Sequence, residues 1–243
     1  MEIRNAGALV TGASRGLGAA LARELAGAGA RVVLVARHAE ALQEVAESIR
    51  ARGGDAHAVV FDVGDKRDVH RIAGVAAALV GDVDLVVHNA STLGPVPLRP
   101  LLDTVCEALE EALAVNLVGP FRLTKVLAGA MLARGRGLIV NVTSDASVAA
   151  YPTWGAYGVS KAALDHLGRI WDAELEGTGV RIVSVDPGEM DTRMHADAMP
   201  EADRHALARP ELVARRIVTL IRRADTLATG ARVRAVSFDE ARA

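Results

Sequence analysis

A doubly wound α/β architecture is the fold class this sequence predicts, and three features predict it. Short β-branched runs alternate with longer Ala- and Leu-rich segments of helical pattern. The runs are continuously apolar rather than alternating, as strands are when helices cover both faces of a parallel sheet. No Pro/Ser-rich linker and no internal repeat interrupts the rhythm.

The runs fall at 8–11, 32–35, 58–61, 85–87, 138–142 and 181–185, with a weak last one near 232–237. Helical segments lie between them near 17–28, 40–52, 66–80, 103–133, 155–176 and 210–223. Successive βαβ units need right-handed crossovers and a parallel sheet. The expectation is therefore a Rossmann-like sheet of about seven strands with helices on both faces. A chain of 243 residues, 51% hydrophobic and 24% charged, buries a large core. Its length suits one domain over 1–243.

The same composition excludes several classes. A disordered chain would be poorer in apolar residues, and a disulfide scaffold needs more than the lone Cys106. One thiol suits a reducing compartment. A net charge of −2 implies no general attraction to nucleic acid or membrane. Residues 1–5 run directly into a strand pattern, leaving no room for a signal peptide's apolar region, and no stretch is long enough to span a bilayer. A soluble cytoplasmic protein is expected.

Two irregular stretches, 91–102 and 187–209, follow strand ends, the side on which such sheets bind ligands. The longer reads as a lid, with Met190, Met194 and Met199 lining an adaptable pocket, or else as an inert excursion packed by those methionines. The first strand leads into Thr11-Gly12-Ala13-Ser14-Arg15-Gly16-Leu17-Gly18 and then a helix. Glycines let backbone approach a pyrophosphate, and the helix N-terminus offers free N–H groups to the anion. The second strand ends in Ala36-Arg37, without the acid that would bind the ribose hydroxyls of NAD. Arg37 and Arg15 could pair with a 2′-phosphate, so NADP(H) is the expected cofactor.

Tyrosine and lysine are scarce: two tyrosines, at 151 and 157, and three lysines, at 66, 125 and 161. Tyr157 and Lys161 stand four apart in a helical segment, on one face and one turn apart. A free tyrosine, with a pKa of about 10, is a poor acid or base near neutrality. A nearby ammonium, or an oxidised nicotinamide ring, would lower that value and fit the phenol for proton transfer. Ser144 ends the fifth strand and could hydrogen-bond a substrate oxygen there, with Ser147 as its competitor.

Together these pieces resemble the short-chain dehydrogenase/reductase family in its single-domain branch, from Thr11 to at least Thr192. The glycine segment looks like that family's cofactor loop. By the resemblance, Asp62-Val63 contacts adenine, Asn89-Ala90 supports the central strand and cofactor, and Pro187-Gly188 with Thr192 holds the nicotinamide carboxamide. Asn116, Ser144, Tyr157 and Lys161 match the catalytic tetrad. The resemblance implies that Tyr157 is the acid/base, and that Lys161 lowers its pKa and holds the nicotinamide ribose. It implies too that Ser144 polarises the substrate oxygen, and that Asn116 orders a water in a proton relay. The implied protein is a metal-free, NADP(H)-dependent carbonyl reductase or alcohol dehydrogenase for a small molecule, working as a homodimer or homotetramer. A 3-oxoacyl-thioester reductase of lipid or polyketide synthesis, and a non-catalytic NADP(H) sensor, are the alternatives.

Three departures stand out. The family's N-N-A-G motif reads His88-Asn89-Ala90-Ser91, with His88 expected to be structural and Ser91 to narrow the backbone near the cofactor. The carboxyl end lacks the usual glycine-rich tail, which makes the tetramer less secure. The seven arginines of 209–234 read as a solvated helix face rather than a nucleic-acid surface. His195, His205, Asp197 and Asp203 match no metal-site spacing, and Cys106 reads as a small core or helix residue.

Overall fold

The apolar runs become strands because both their faces find helices. In the computed structural model, which describes residues 1–238, seven strands form one parallel sheet: β1 (Gly7–Thr11), β2 (Arg31–Ala36), β3 (Asp55–Val60), β4 (Val83–His88), β5 (Gly137–Val142), β6 (Val180–Asp186) and β7 (Arg232–Arg234). Their order across the sheet is β3-β2-β1-β4-β5-β6-β7. The helices are α1 (Gly16–Gly27), α2 (Ala39–Arg50), α3 (Val69–Val80), α4 (Cys106–Leu113), α5 (Gly119–Arg134), α6 (Gly155–Glu174), α7 (Arg193–Ala198) and α8 (Pro210–Arg222). This is the expected doubly wound sheet. The last five residues of the span expected to form one domain lie outside the described residues.

Alternate residues of each strand serve opposite cores. Ala8, Val10, Val32 and Leu34 pack with Leu21, Leu25, Ile217 and Leu220 of α1 and α8. Leu9, Val33 and Val35 point the other way, to Ile72, Leu123 and Leu127 of α3 and α5. β1 pairs with both β2 and β4, so the strand order reverses there and a crevice opens beyond their carboxyl ends.

Several boundaries differ from those expected. The third strand starts at Asp55 and ends at Val60, and the last strand stops at Arg234, where a short 3₁₀ turn takes over. The long helix expected over 103–133 is three pieces, because Ala114–Val118 form a π-helical turn between α4 and α5. Such turns often mark functional sites, and this one contains Asn116. The stretch 187–209 is not wholly irregular: it contains α7 and a 3₁₀ turn at Arg204–Ala206. Cys106 opens α4 on the surface, so it is a helix residue and not a core one. The expected solvated arginine face also needs correction, because Arg232 turns inward and is 17% exposed.

Far from the crevice, Asp172 fastens α6 to the sheet. Its fully buried carboxylate accepts from Arg181 Nε and Nη2 at 3.0 and 3.1 Å, and from the backbone N–H groups of Ile182 and Gly230 at 2.7 Å each. Replacing it with Ala strands a guanidinium and two backbone donors. Asp172→Ala should therefore cost about 3 kcal/mol of stability, read from the urea denaturation midpoint. A loss below about 0.5 kcal/mol, the scale of ordinary surface changes, would refute this account.

Candidate active site

The turn after β1 is held open by its neighbour strand. Thr11 Oγ1 donates to the Val87 carbonyl at 3.2 Å and accepts the backbone N–H groups of Asn89 and Ala90 at 3.0 Å. Asn89 Nδ2 donates to the carbonyls of Thr11 and Gly12 at 2.9 and 3.2 Å. This knot explains two of the glycines. A Cβ at Gly18 would lie 2.3 Å from the Gly12 carbonyl oxygen, and Gly12, at φ +67°, would place one 2.8 Å from Ala90 Cα. α1 then begins at an extended Arg15 with no side-chain cap, so its first N–H groups face the crevice.

A cleft of about 850 Å³ runs from this loop across the sheet edge. It is lined by Ser14, Arg15, Leu17, Arg37, Asp62 and Val63 at one end, and by Ala90, Lys161, Pro187 and Thr192 at the other. Arg37 and Arg15 are exposed or half-exposed there, with Arg37 Nη1 at 3.8 Å from Asp62. The Asp62 carboxylate is itself held by the N–H of Gly64 at 2.8 Å. The glycine cradle, the uncapped helix end and the cleft volume fit a dinucleotide.

Lys161 forms the floor. It is 1% exposed, and its Nζ donates to the Val142 carbonyl at the end of β5, at 2.8 Å. Burial pushes its ammonium down to about 8, against the opposing pull of Asp165. One turn back on α6, Tyr157 places its ring centroid 5.7 Å from that Nζ. The Tyr157 hydroxyl lies beside Ser144, whose own Oγ donates to Asp145 Oδ1 at 3.0 Å.

The phenol differs from its expected state. Burial pushes Tyr157 up to about 12, the neighbouring Ser144 hydroxyl opposes this, and the charges of Asp145 and Asp186 add to it. A buried ring pays the desolvation cost of phenolate before any cofactor charge is present, and the Lys161 ammonium does not reverse that. Tyr157 therefore stands protonated at neutral pH, ready to donate to an oxygen placed between it and Ser144.

Asn116 also differs in detail. Its Nδ2 donates to the Thr92 carbonyl and Ser160 Oγ at 2.9 Å each, while Oδ1 accepts from Thr92 N and Ser91 Oγ at 2.8 and 3.1 Å. The amide is fully engaged in holding the π-helical turn and the 91–92 strand exit, which leaves it no free donor for a water. Ser91, expected to narrow the cofactor's space, spends its hydroxyl on Asn116. His88 is buried, shares a 2.9 Å hydrogen bond with Thr124 Oγ1, and is pushed down to about 3 by burial and Lys161. It is a neutral structural histidine. Ser147, the rival of Ser144, hydrogen-bonds Asp165 instead of facing the crevice.

Beyond Tyr157 a second cavity of about 260 Å³ opens under 187–199, walled by Leu93, Trp154, Met190, Met194 and Met199. Thr192 lines both cavities and caps α7 by accepting the N–H of His195 at 3.2 Å. Gly188 enters as the bend after Asp186, whose Oδ1 accepts its N–H at 3.0 Å. Sequence reasoning missed Arg232, hidden among many arginines. From β7 it donates to the Ser144 carbonyl at 2.8 Å and to Asp165 of α6 at 3.0 Å, and it lies 3.4 Å from Asp186. One side chain thus joins the Ser144 loop, the Tyr157 helix and the strand before Pro187. Only its place in the last strand, beside β6, could have hinted at this.

With two tyrosines in the chain, Tyr151→Phe leaves Tyr157 as the only one. Ultraviolet titration of that variant without dinucleotide should show no tyrosinate until well above the ordinary value of about 10. Saturating NADP⁺ should move the ionisation downward. Ionisation at or below the ordinary value in cofactor-free protein would contradict the burial argument.

Comparison with known proteins agrees with this geometry. The family model "short chain dehydrogenase" matches residues 6–203. The ketoacyl reductase HetN of a Nostoc species is 34% identical over 221 residues, covering 90% of this chain and 76% of that one. A metagenomic short-chain oxidoreductase solved in complex with NADP superposes with a TM-score of 0.81 at 33% identity, covering 96% and 99% of the two chains. A 7α-hydroxysteroid dehydrogenase solved with NADH and 7-oxo-glycochenodeoxycholic acid gives 0.87 at 28% identity, covering 96% and 94%. No described helix is long and apolar enough to cross a membrane. By its matched sequence, its sheet order and the crevice that order creates, the chain belongs to the short-chain dehydrogenase/reductase family, whose members are oxidoreductases.

Proposed function

We propose that this protein interconverts a carbonyl and an alcohol with NADP(H), using Tyr157 as the proton donor and acceptor. One observation carries the reading: Tyr157 stands in the shared wall of the dinucleotide cleft and the small cavity, beside Ser144. A substrate oxygen held by Ser144 and Tyr157 turns its carbon toward the cleft. The bound dinucleotide supplies or accepts the hydride there. In reduction Tyr157 donates its proton to the forming alkoxide, which Ser144 stabilises by a second hydrogen bond once its hydroxyl turns from Asp145. Lys161 places positive charge behind the phenol and reaches toward the ribose, while Asn116 holds the π-helical turn. Gly12, Ser14, Gly16, Leu17 and Gly18 take the pyrophosphate, Asp62 and Val63 the adenine, and Asn89 and Ala90 the middle of the cofactor. Pro187, Gly188 and Thr192 take the carboxamide.

NADP(H) is preferred here because β2 ends without an acid and the cleft offers Arg15 and Arg37 to a 2′-phosphate. The NADP complex of a relative supports this, while the NADH complex of another shows that the fold admits both. A 3-oxoacyl thioester substrate is the second reading, favoured by the likeness to HetN. A pure sensor would not need Asn116, Ser144, Tyr157 and Lys161 together.

Tyr157→Phe should lower kcat at least about a hundredfold with any accepted ketone, aldehyde or 3-oxoacyl thioester, while NADPH binding by calorimetry stays unchanged. Full activity in that variant would refute the mechanism. Replacing Arg15 and Arg37 by Ala should raise KM for NADPH about tenfold or more and leave KM for NADH unmoved. Equal losses for both cofactors would refute the 2′-phosphate assignment.

A further inference from the structure

The two cavities that meet at Tyr157 carry opposite charge. Five arginines and Lys161 line the dinucleotide cleft against four carboxylates, Glu44, Asp62, Asp191 and Glu211, so its balance is positive. Among the described residues, no lysine or arginine lines the smaller cavity, which has three carboxylates: Asp145, Asp186 and Glu189. Asp186 is 3% exposed and is met by Arg232 and Arg234, so its charge is largely answered inside the protein. The other two face the cavity without an arginine or lysine partner.

Asp145 is fixed beside the reaction centre. Its Oδ1 accepts from Ser144 Oγ and the Ala146 N–H at 3.0 and 2.9 Å, and its Oδ2 accepts from Tyr151 Oη at 2.8 Å. Three donors therefore hold this carboxylate next to the hydroxyl that receives the substrate oxygen. Glu189 stands across the cavity on the segment after Gly188, with Oε1 3.6 Å from His195 Nε2. Leu93, Trp154, Met194, Ala198 and Met199 supply an apolar wall, and Thr143, Thr192 and His195 add polar groups.

We infer that this cavity selects an uncharged or ammonium-bearing carbonyl compound, or the matching alcohol, and rejects carboxylates and phosphates, with Asp145 and Glu189 as the specificity-determining residues. The inference rests on the reductase reading above and names its substrate class. The geometry disfavours an anionic substrate. Its oxygen must reach Ser144 and Tyr157, so its skeleton must pass Asp145, and a cavity of about 260 Å³ gives a small molecule little room to move its charge away. Asp145 and Glu189 are both exposed, Glu189 at 66%, so water screens part of the repulsion and leaves a discrimination on the scale of surface charges. An ammonium group meets the reverse field.

The full-length protein saturated with NADPH tests this with three ketones of one shape: cyclohexanone, 4-aminocyclohexanone and 4-oxocyclohexanecarboxylate. Turnover is read as kcat/KM from NADPH oxidation. Binding is read separately from quenching of Trp154, which lines the cavity, in a Trp171→Phe variant that leaves it the only tryptophan. The carboxylate should fall at least about tenfold below cyclohexanone in both readouts, and the amine should equal or exceed it. Glu189→Gln and Asp145→Asn should each narrow the gap, and added salt should do the same. A carboxylate used or bound as well as cyclohexanone overturns the inference, as does a gap unchanged in the double variant or failure of all three ketones to bind. The ranking in binding without turnover sustains the charge selection and refutes the reductase reading. Turnover without the ranking does the opposite.

Discussion

The hydrogen bond from Lys161 Nζ to the Val142 carbonyl is the constraint on which the site's geometry turns. A lysine that is 1% exposed costs free energy unless its donors are satisfied, and the open carbonyl at the end of β5 satisfies one of them. That bond fixes α6 against the carboxyl end of the central sheet. Tyr157, one turn earlier on the helix, is thereby set beside Ser144, two residues past the same strand end. Burying the amine also gives it the depressed value that keeps it close to neutral pH in its titration. The same packing that places the phenol also buries it, which is why it holds its proton so firmly before a cofactor brings in positive charge.

The rest of the crevice follows from strands ending together. In a parallel sheet every carboxyl end lies on one edge, so the loops after β1, β4, β5 and β6 gather whatever their spacing in the chain. Thr11 and Asn89 lock the first two of those ends to each other, and Arg232 locks the third and fourth. The outer locks differ in kind. Asn89 uses neutral amide bonds at the surface of a glycine turn, whereas Arg232 neutralises two buried carboxylates that would otherwise repel across α6 and β6. The arginine from the last strand therefore does for the ends of β5 and β6 what the asparagine does for the ends of β1 and β4. Charge differs too: basic groups outnumber carboxylates in the larger cleft, while the smaller cavity has carboxylates and neither lysine nor arginine among the described residues.

The sheet, the glycine turn and the Tyr157–Lys161 pair were legible in the sequence because each rests on local spacing. Continuous Val and Leu runs mark strands buried on both faces, and a separation of four puts two side chains on one helix face. Boundaries were less legible. Nothing in the pattern through residues 106–134 shows that the helix must widen at Asn116, because the widening depends on Thr92 and Ser160, which lie far from it in sequence. The inward turn of Arg232 was hidden for the same reason: its partners at 144, 165 and 186 come from three separate elements.

By itself, then, the sequence determined the fold class, the glycine-rich βα turn, and a Tyr157–Lys161 pair on one helix face made conspicuous by the scarcity of tyrosine and lysine. Those are properties of short windows and of period. Only the tertiary structure decided the protonation of Tyr157, the full engagement of the Asn116 amide and the gathering of three carboxylates around the smaller cavity. Each of these depends on burial and on charges brought together from distant parts of the chain, and neither quantity exists until the sheet has closed over them.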